Sequence, residues 1–370
     1  MTEQKRPTSK LRSHLRKNTT RRHFLTTTAK AGVGVAAAWP FVLTPGKAKA
    51  ATVIRYADDG GRTGQGRDKL YIKPFMKKTG IEVRTRIGDH KLAKLKAMLK
   101  TGNLEVDVSQ LNAPQSMAGM KEGLFEKLDR SKLDLSNHVF PQWQWRDTVA
   151  WEYYSGGLGY NTETFKADQV PQSWADFWNV KKFPGRRGIR PRPQETLEKA
   201  LMADGVAAKD LYPLDMDRAF KSMDSIKEHI NIWIPSAAKS VEHLQSKELD
   251  YTYTYSGRIM TAKSEGVPLA FNFDIPLSVP QNMVILKGAK NYDACLQLIG
   301  WFLDPEPGVV WFTQYIGYGP TDKMTADKLS AEVKSKLPSY DNPKAAWINP
   351  EWWGENMADA TKRFAKWQLT

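Results

Sequence analysis

From residue 52 onward, the spacing of apolar positions changes repeatedly between that of a strand and that of a helix. Residues 53–56 and 80–83 are short β-branched runs, and residues 90–101 carry leucine and methionine three or four positions apart. Gly102 stands where such a helix would end. Strands that alternate with helices in this way predict an α/β fold in which helices cover parallel sheets.

A second set of elements repeats the alternation. The pattern predicts helices at 171–178, 194–203, 216–229, 236–247 and 292–303, and strands at 188–190, 230–233, 250–255, 269–273 and 282–286. Two sets of elements predict two lobes, and we expect the chain to leave the first lobe near residue 152 and to return near residue 280. We therefore assign 51–152 with 281–318 to lobe 1, 153–280 to lobe 2, and 319–370 to C-terminal helices that pack on the lobes.

The composition is that of a globular chain of 370 residues. Apolar residues make up 41% and aromatic residues 11%, which is too many core-forming side chains for a disordered protein. At about 150 residues per domain, the length fits two domains. Cys295 is the single cysteine, so no intrachain disulfide can form and packing must stabilise the fold.

Most of the positive charge lies at the N-terminus. The formal net charge is +15, and residues 1–50 contain eleven Lys or Arg against one acid, Glu3. Paired arginines at 21–22, an apolar stretch over 31–43 and Ala-Lys-Ala at 48–50 follow the order of a twin-arginine export signal. That stretch would span about 20 Å as a helix, which is too short to cross a membrane. We therefore predict that residues 1–50 are an export signal and that the mature protein is periplasmic.

Known enzyme motifs and metal-ligand spacings are absent from the sequence. Gly64 and Gly66 suggest a dinucleotide fingerprint, but Lys69 stands where its third glycine is required. The four histidines after residue 51 lack ligand spacing, and the folded part is only mildly basic. We therefore predict that the protein is not an enzyme, requires no cofactor, binds no nucleic acid, and holds a small molecule between its lobes.

Several segments of the sequence form a distinctive set of motifs. The longest are PQSWADFW at 171–178, FPGRRG at 183–188, ETLEKALMADGV at 195–206 and LYPLDMDRA at 211–219, with shorter ones at 74–75, 79–83, 160–162, 287–291 and 318–321. Together they resemble the periplasmic substrate-binding proteins of ABC importers, in the spermidine/putrescine-like branch. The similarity extends over essentially the whole mature chain.

This resemblance implies the type II periplasmic-binding-protein fold, in which two crossover strands join the lobes and the ligand lies between them. It also implies that the protein delivers a small solute to a permease in the inner membrane and hydrolyses nothing itself. We expect it to act as a monomer.

The cleft residues depart from those of polyamine-binding family members. By the resemblance, those members have a tryptophan and an aspartate where Val279 and Gln281 align, and two acids where Arg192 and Glu195 align. A buried polycation needs carboxylates to neutralise its ammonium groups and aromatic rings to cover its methylenes. Because Arg190 and Arg192 would instead repel it, we favour an amino-acid-like, γ-amino acid or opine-like ligand that carries a carboxylate.

Eleven residues are candidates for binding this ligand. They lie at strand ends, at the expected crossovers and at helix starts in the second lobe, and they supply carboxylates, a guanidinium, rings and hydroxyls: Asp58, Asp59, Tyr153, Tyr154, Ser155, Arg192, Glu195, Trp233, Ser236, Tyr255 and Gln281. Arg192 can pair bidentately with a carboxylate. Each has a structural role as its alternative, and Ser236 is also the expected N-cap of a helix.

Other functions stay open at this point. The protein could be a true polyamine binder, or a ferric-ion carrier that uses Tyr153 and Tyr154 as paired tyrosinates. An exported enzyme with an unrecognised site in the same cleft is the alternative from another class. A sugar binder is disfavoured because the 13 tryptophans are spread over predicted helices.

Overall fold

A computed structural model describes residues 52–133, 135–136, 138, 143–315, 317–335, 337 and 345–370. The predicted export signal at 1–50 lies outside the described residues. Within them, no helix combines the length and apolar character needed to cross a membrane.

The first part of the chain alternates strands and helices as the sequence pattern predicts. Its elements are β1 (Val53–Asp58), α1 (Gly61–Arg67), α2 (Lys73–Thr79), β2 (Glu82–Ile87), α3 (Leu92–Thr101), β3 (Val108–Asn112), α4 (Ala113–Lys121) and β4 (Gln144–Trp145). A π-helical turn at Asp68–Ile72 joins α1 to α2, so these form one continuous helical segment. Gly102 ends α3 in a left-handed conformation with φ 68°, as expected for a helix C-terminal glycine.

The rest of the chain contains two long strands and most of the helices. Its elements are β5 (Thr148–Asn161), α5 (Trp174–Trp178), β6 (Arg187–Ile189), α6 (Thr196–Ala203), α7 (Met216–Ile226), β7 (Ile230–Trp233), α8 (Ala237–Gln245), β8 (Tyr251–Tyr255), α9 (Ser256–Ser264), β9 (Leu269–Ile285), α10 (Tyr292–Phe302), α11 (Pro305–Gln314), β10 (Tyr318–Pro320), α12 (Lys323–Lys328), α13 (Ala331–Lys334), β11 (Ala346–Trp347) and α14 (Pro350–Leu369). The two strands expected at 269–273 and 282–286 are therefore one strand, β9.

Strands β5 and β9 connect two lobes. The sheet order is β2-β1-β3-β9-β5-β8-β6-β7, and β5 pairs antiparallel with β9 along nearly its whole length, from Thr148 opposite Val284 to Asn161 opposite Leu269. One end of this ribbon carries β1, β2 and β3, and the other carries β6, β7 and β8. The exact boundaries predicted for the lobes stay a prediction, because both strands run continuously through the junction.

Each lobe has its own apolar core. In lobe 1, Tyr71 stacks on Phe302 with ring centroids 4.6 Å apart, and Trp151 and Trp311 pack against the pair. In lobe 2, the three tyrosines of β8 share one core with residues of α5, as their alternation along the strand predicts. These cores hold the facing edges of the two lobes in place.

Candidate functional site

The two crossover strands meet at a pair of serines. Ser155 of β5 and Ser278 of β9 lie opposite each other, and their hydroxyl oxygens are 2.5 Å apart. Ser155 is fully buried, so its hydroxyl joins the crossover strands. Side chains alternate along β5, which places Glu152 and Tyr154 on one face and Tyr153 and Ser155 on the other.

Tyr153 and Tyr154 consequently have different neighbours. The Tyr153 ring packs edge-on against Trp347, with centroids 5.2 Å apart, and lies near Trp143. The Tyr154 ring instead packs edge-on against Tyr255 at 5.2 Å. The adjacent tyrosines on which the ferric-ion alternative relies therefore do not converge on one point.

Arg192, Glu195 and Tyr255 form a closed hydrogen-bonded cluster in lobe 2. Arg192 Nη2 lies 2.5 Å from Glu195 Oε2 and donates to the Tyr255 hydroxyl at 2.5 Å. That hydroxyl donates in turn to Glu195 Oε2 at 2.9 Å. Tyr154 donates to Glu195 Oε1 at 3.3 Å, and Arg190 Nη1 approaches the Tyr255 oxygen at 3.3 Å. The structure thus brings together four of the eleven predicted site residues.

The backbone at Glu195 explains how this cluster is positioned. Glu195 is the residue before α6 and adopts a left-handed conformation with φ 66°, which is uncommon for a residue other than glycine. Its carboxylate lies at the N-terminal end of α6, where negative charge is favoured. Residues in strained backbone conformations concentrate at functional sites, so this geometry makes the turn a candidate for ligand binding.

Glu195 keeps its negative charge although its side chain is buried. Burial alone would raise the pKa of Glu195, but the charge of Arg192 and its hydrogen bond hold that pKa below the ordinary value. Burial also raises the pKa of Tyr255 to about 12, so its hydroxyl stays protonated and can donate. The result is one carboxylate and one guanidinium, fixed side by side with two tyrosine hydroxyls.

A second charged cluster lies at the end of β1 in lobe 1. Asp58 is 1% exposed, and its carboxylate accepts from Arg67 Nε at 2.8 Å and from Gly60 N at 2.6 Å. Arg67 also contacts Asp59, which is about one-third exposed. The Asp58 carboxylate is therefore occupied by partners within the protein, whereas part of Asp59 stays accessible to solvent.

Glu152 and Trp311 extend this cluster to the crossover, and the sequence did not point to either. Trp311 Nε1 donates to Glu152 Oε2 at 3.0 Å, and the Arg67 guanidinium lies 5.8 Å from the Trp311 ring centroid. Glu152 pairs across the strands with Gln281, a predicted site residue that is partly exposed. Burial raises the pKa of Glu152 to about 8. Gln281 thus lies on the crossover beside the lobe 1 cluster.

Two ion pairs join the lobes at the mouth of the cleft. Arg62 of α1 pairs with Glu265 beyond α9, and Arg258 of α9 lies 3.9 Å from Asp59. A pocket of about 170 Å³ lies between these elements. Charged side chains of both lobes therefore meet at this edge.

Trp233 and Ser236 lie apart from these clusters. The Trp233 ring packs against Phe364 and Trp367 of α14 at 6.4 and 6.0 Å. The Ser236 hydroxyl accepts from Lys239 N at 3.3 Å and caps α8, as its structural alternative predicts. In the part of the chain that the structure describes, no group of three His, Cys, Asp or Glu side chains could hold a metal ion.

Comparison with known proteins assigns the chain to a protein family. A family model described as a bacterial extracellular solute-binding protein matches residues 71–339. A γ-aminobutyric acid-binding protein of Pseudomonas aeruginosa is 34% identical over 323 residues, covering 85% of this chain and 90% of the relative. A spermidine/putrescine-binding periplasmic protein of Haemophilus influenzae is 26% identical over 80% of this chain and 83% of the relative.

A solved structure shows the same fold. The ABC transporter substrate-binding protein from Bradyrhizobium japonicum matches with a TM-score of 0.80 at 33% identity, covering 85% of this chain and 99% of the other. This agreement confirms the predicted two-lobe fold with two crossover strands. The chain belongs to the bacterial extracellular solute-binding protein family, among the periplasmic substrate-binding proteins of ABC importers.

Proposed function

We propose that this protein captures a small zwitterionic solute, of the γ-amino acid or opine-like class, in the cleft between its lobes and delivers it to a membrane permease. The observation that carries the proposal is the pair of a partly exposed Arg192 with a buried Glu195, with Nη2 and Oε2 2.5 Å apart. A ligand that bears both a carboxylate and an amine is complementary to such a pair.

Binding would exchange partners within this cluster. The ligand carboxylate pairs with the Arg192 guanidinium, and the ligand ammonium pairs with Glu195. The site therefore gains no unpaired charge. The hydroxyls of Tyr154 and Tyr255, which already reach Glu195, turn to the ligand. Every charge stays paired during this exchange, so the penalty for a buried lone ion is avoided.

A polyamine fits the same cluster less well. Its ammonium could displace Arg192 from Glu195, but Arg192 would then lose its buried carboxylate partner and would stand next to a like charge. Breaking one side of a buried ion pair costs about 3–5 kcal/mol. The polyamine-binding relative is also less similar to this chain than the γ-aminobutyric acid-binding relative, at 26% against 34% identity.

The rest of the proposed site lies on lobe 1. Asp59 and Gln281 are predicted residues there with exposed surface, which supports contact between them and the part of the ligand that projects from lobe 2. Closure would then bring Arg258 towards Asp59 over the bound ligand. Asp58, Tyr153, Ser155, Trp233 and Ser236 act through packing, capping and ion pairing around this site.

Export and delivery complete the proposal. The N-terminal segment directs the chain to the periplasm by the twin-arginine route, and the closed monomer presents its ligand to the permease of an ABC importer. The protein itself performs no chemical step on the ligand.

Binding assays on the purified chain test the ligand class. We expect γ-aminobutyrate and opine-like amino acids to raise the melting temperature, because a ligand that binds the native state stabilises it by mass action. Spermidine and putrescine should give no shift. R192Q should abolish the shift, whereas R186Q, which removes an exposed arginine paired with Asp250, should retain it. A shift with polyamines and none with carboxylates would refute the proposal.

A further inference from the structure

The C-terminal helix α14 is attached to both lobes. Its lobe 1 contacts are with α4 and β4: Gly354 lies so close to Met117 that a Cβ at position 354 would be 2.9 Å from the Met117 Cβ. Glu351 Oε1 accepts from Trp145 Nε1 at 2.6 Å. A helix held on both sides of the hinge takes part in any rotation of one lobe against the other.

The lobe 2 contacts of α14 come mainly from large aromatic side chains and reach α6. Trp353 is fully buried, and its Nε1 donates to Glu198 Oε1 at 2.7 Å. Further along the helix, Phe364 and Trp367 pack against Phe220. Helix α14 therefore packs closely on α4 of lobe 1 and inserts aromatic side chains into the core of lobe 2.

The contacts to α6 surround the ligand-binding turn. Glu198 lies three residues after Glu195, and Gln194, which precedes Glu195, contacts Met357 of α14. Both flanks of Glu195 are thus held by the same helix. Because Glu195 has a left-handed backbone, its position depends on neighbours that fix the turn.

The segment before α14 reaches the pivot itself. Strand β11 pairs with β9 at Leu277 and Ser278, and Ser278 carries the hydroxyl that contacts Ser155. The C-terminal segment therefore runs from the crossover to the turn that bears Glu195.

We propose that Trp353 is a positioning residue that couples lobe closure to Glu195 through its hydrogen bond to Glu198. This inference rests on the proposed function, because Glu195 matters here as a ligand-binding residue. Rotation of the lobes changes the contacts of α14 with α4, and the Trp353–Glu198 bond transmits that change to α6.

Glu198 has few hydrogen-bond partners, so the bond from Trp353 has a large effect on its carboxyl group. Its Oε1 also accepts from Tyr212 at 2.6 Å, while no described residue is hydrogen-bonded to Oε2. The charged side chains that face it are Glu195 and Lys199, both on or beside α6. Burial raises the pKa of Glu198 to about 7, and the Tyr212 and Trp353 donors oppose that rise. Loss of one donor therefore changes the protonation of Glu198 near neutral pH.

Two matched tryptophan variants separate this role from general packing. W353F keeps a ring but removes the donor to Glu198, and W367F removes a donor to Asp224 Oδ1 at 2.7 Å elsewhere on the same helix. In calorimetric titrations with γ-aminobutyrate, we expect W353F to bind roughly tenfold more weakly, as loss of a hydrogen bond to a charged group implies. The affinity of W367F should stay within about twofold of the wild-type value, even if its melting temperature falls as much as that of W353F.

Two further measurements keep the outcome decisive. The wild-type affinity should change with pH near 7, and E198Q, which cannot ionise, should remove that change. Small-angle scattering without ligand should show W353F more open than the wild type. Equal affinity, pH profile and scattering for W353F and wild type would overturn the inference and leave the proposed function intact. Failure of the wild type to bind any amino acid, with W353F still more open, would overturn the proposed function alone.

Discussion

Asp58 and Arg67 form a buried ion pair at the lobe 1 edge of the cleft. Arg67 Nε and Nη2 donate to the two carboxylate oxygens at 2.8 and 3.0 Å, and both side chains are at most 3% exposed. Burial would raise the pKa of Asp58, but the charge of Arg67 holds it below the ordinary value. Asp58, which the sequence analysis named as a candidate for ligand binding, is therefore paired with Arg67 of the protein itself.

Substitution of this acid tests which role dominates. D58N should lower the free energy of unfolding by about 3–5 kcal/mol, because it leaves the Arg67 charge without its main buried partner. D59N removes an acid that is about one-third exposed and should change stability much less. Denaturant unfolding measures both. If D58N were as stable as the wild type but lost ligand binding, the ion pair would not be structural.

The fold was largely predictable from apolar periodicity, and the exceptions have physical reasons. The sequence did not predict β9 as one continuous strand because Pro276 and Pro280 interrupt its apolar pattern, and proline is normally excluded from central strands. In β5, Gly156, Gly157 and Gly159 likewise interrupt the apolar pattern that would predict a strand. Glycine is needed there because side chains come very close to the backbone, as the Tyr253 hydroxyl does at Gly156.

The lobe 2 part of the candidate site was more predictable than the lobe 1 part, where the sequence indicated Asp58, Asp59 and Gln281 but not their partners. Arg192 and Glu195 are three residues apart on one turn, so local sequence brought them together. The sequence did not indicate the other members of the lobe 1 cluster, Arg67, Glu152 and Trp311. They come from three distant segments that meet only after the sheet forms. The need to neutralise a buried acid at the end of β1 was a usable signal for Arg67.

The ion pair at the cleft mouth should contribute to ligand retention. Arg62 and Glu265 are each about half exposed, so their attraction is weak and screened by salt. We expect R62A and E265A each to weaken γ-aminobutyrate binding about two- to fivefold, mainly through faster release. The double variant should be no weaker than either single one. Additive losses, or losses unchanged at 1 M salt, would mean that the two side chains act independently.

Lys199 is a buried amine whose removal should stabilise the protein. It is fully buried, no described residue is hydrogen-bonded to its Nζ, and the Tyr253 ring centroid is 3.4 Å away. Burial lowers the pKa of Lys199 well below its ordinary value. A folded-state pKa below the unfolded one costs stability most at low pH, and the cost falls as pH rises. K199M should therefore raise the melting temperature, most at low pH.

An exposed lysine supplies the control for that experiment. K221M, on the surface of α7, should leave both the melting temperature and its pH dependence unchanged. A lower melting temperature for K199M at every pH would show that the contact of the ammonium with Tyr253 outweighs its desolvation.

Glu152 should make the stability of the protein fall as pH rises. Burial raises its pKa from 4.5 to about 8, so between these values the folded chain holds a proton that the unfolded chain has lost. Each pH unit in this window then costs up to about 1.4 kcal/mol of stability. E152Q keeps an acceptor for Trp311 but cannot ionise, so it should be more stable than the wild type at pH 8. Its decline should be shallower than that of the wild type, and the part that remains below pH 7 comes from Glu198, whose pKa burial raises to about 7. Denaturant unfolding from pH 4.5 to 8, with exposed E228Q as control, measures the effect. A wild-type slope retained in E152Q would assign the pH dependence to other groups.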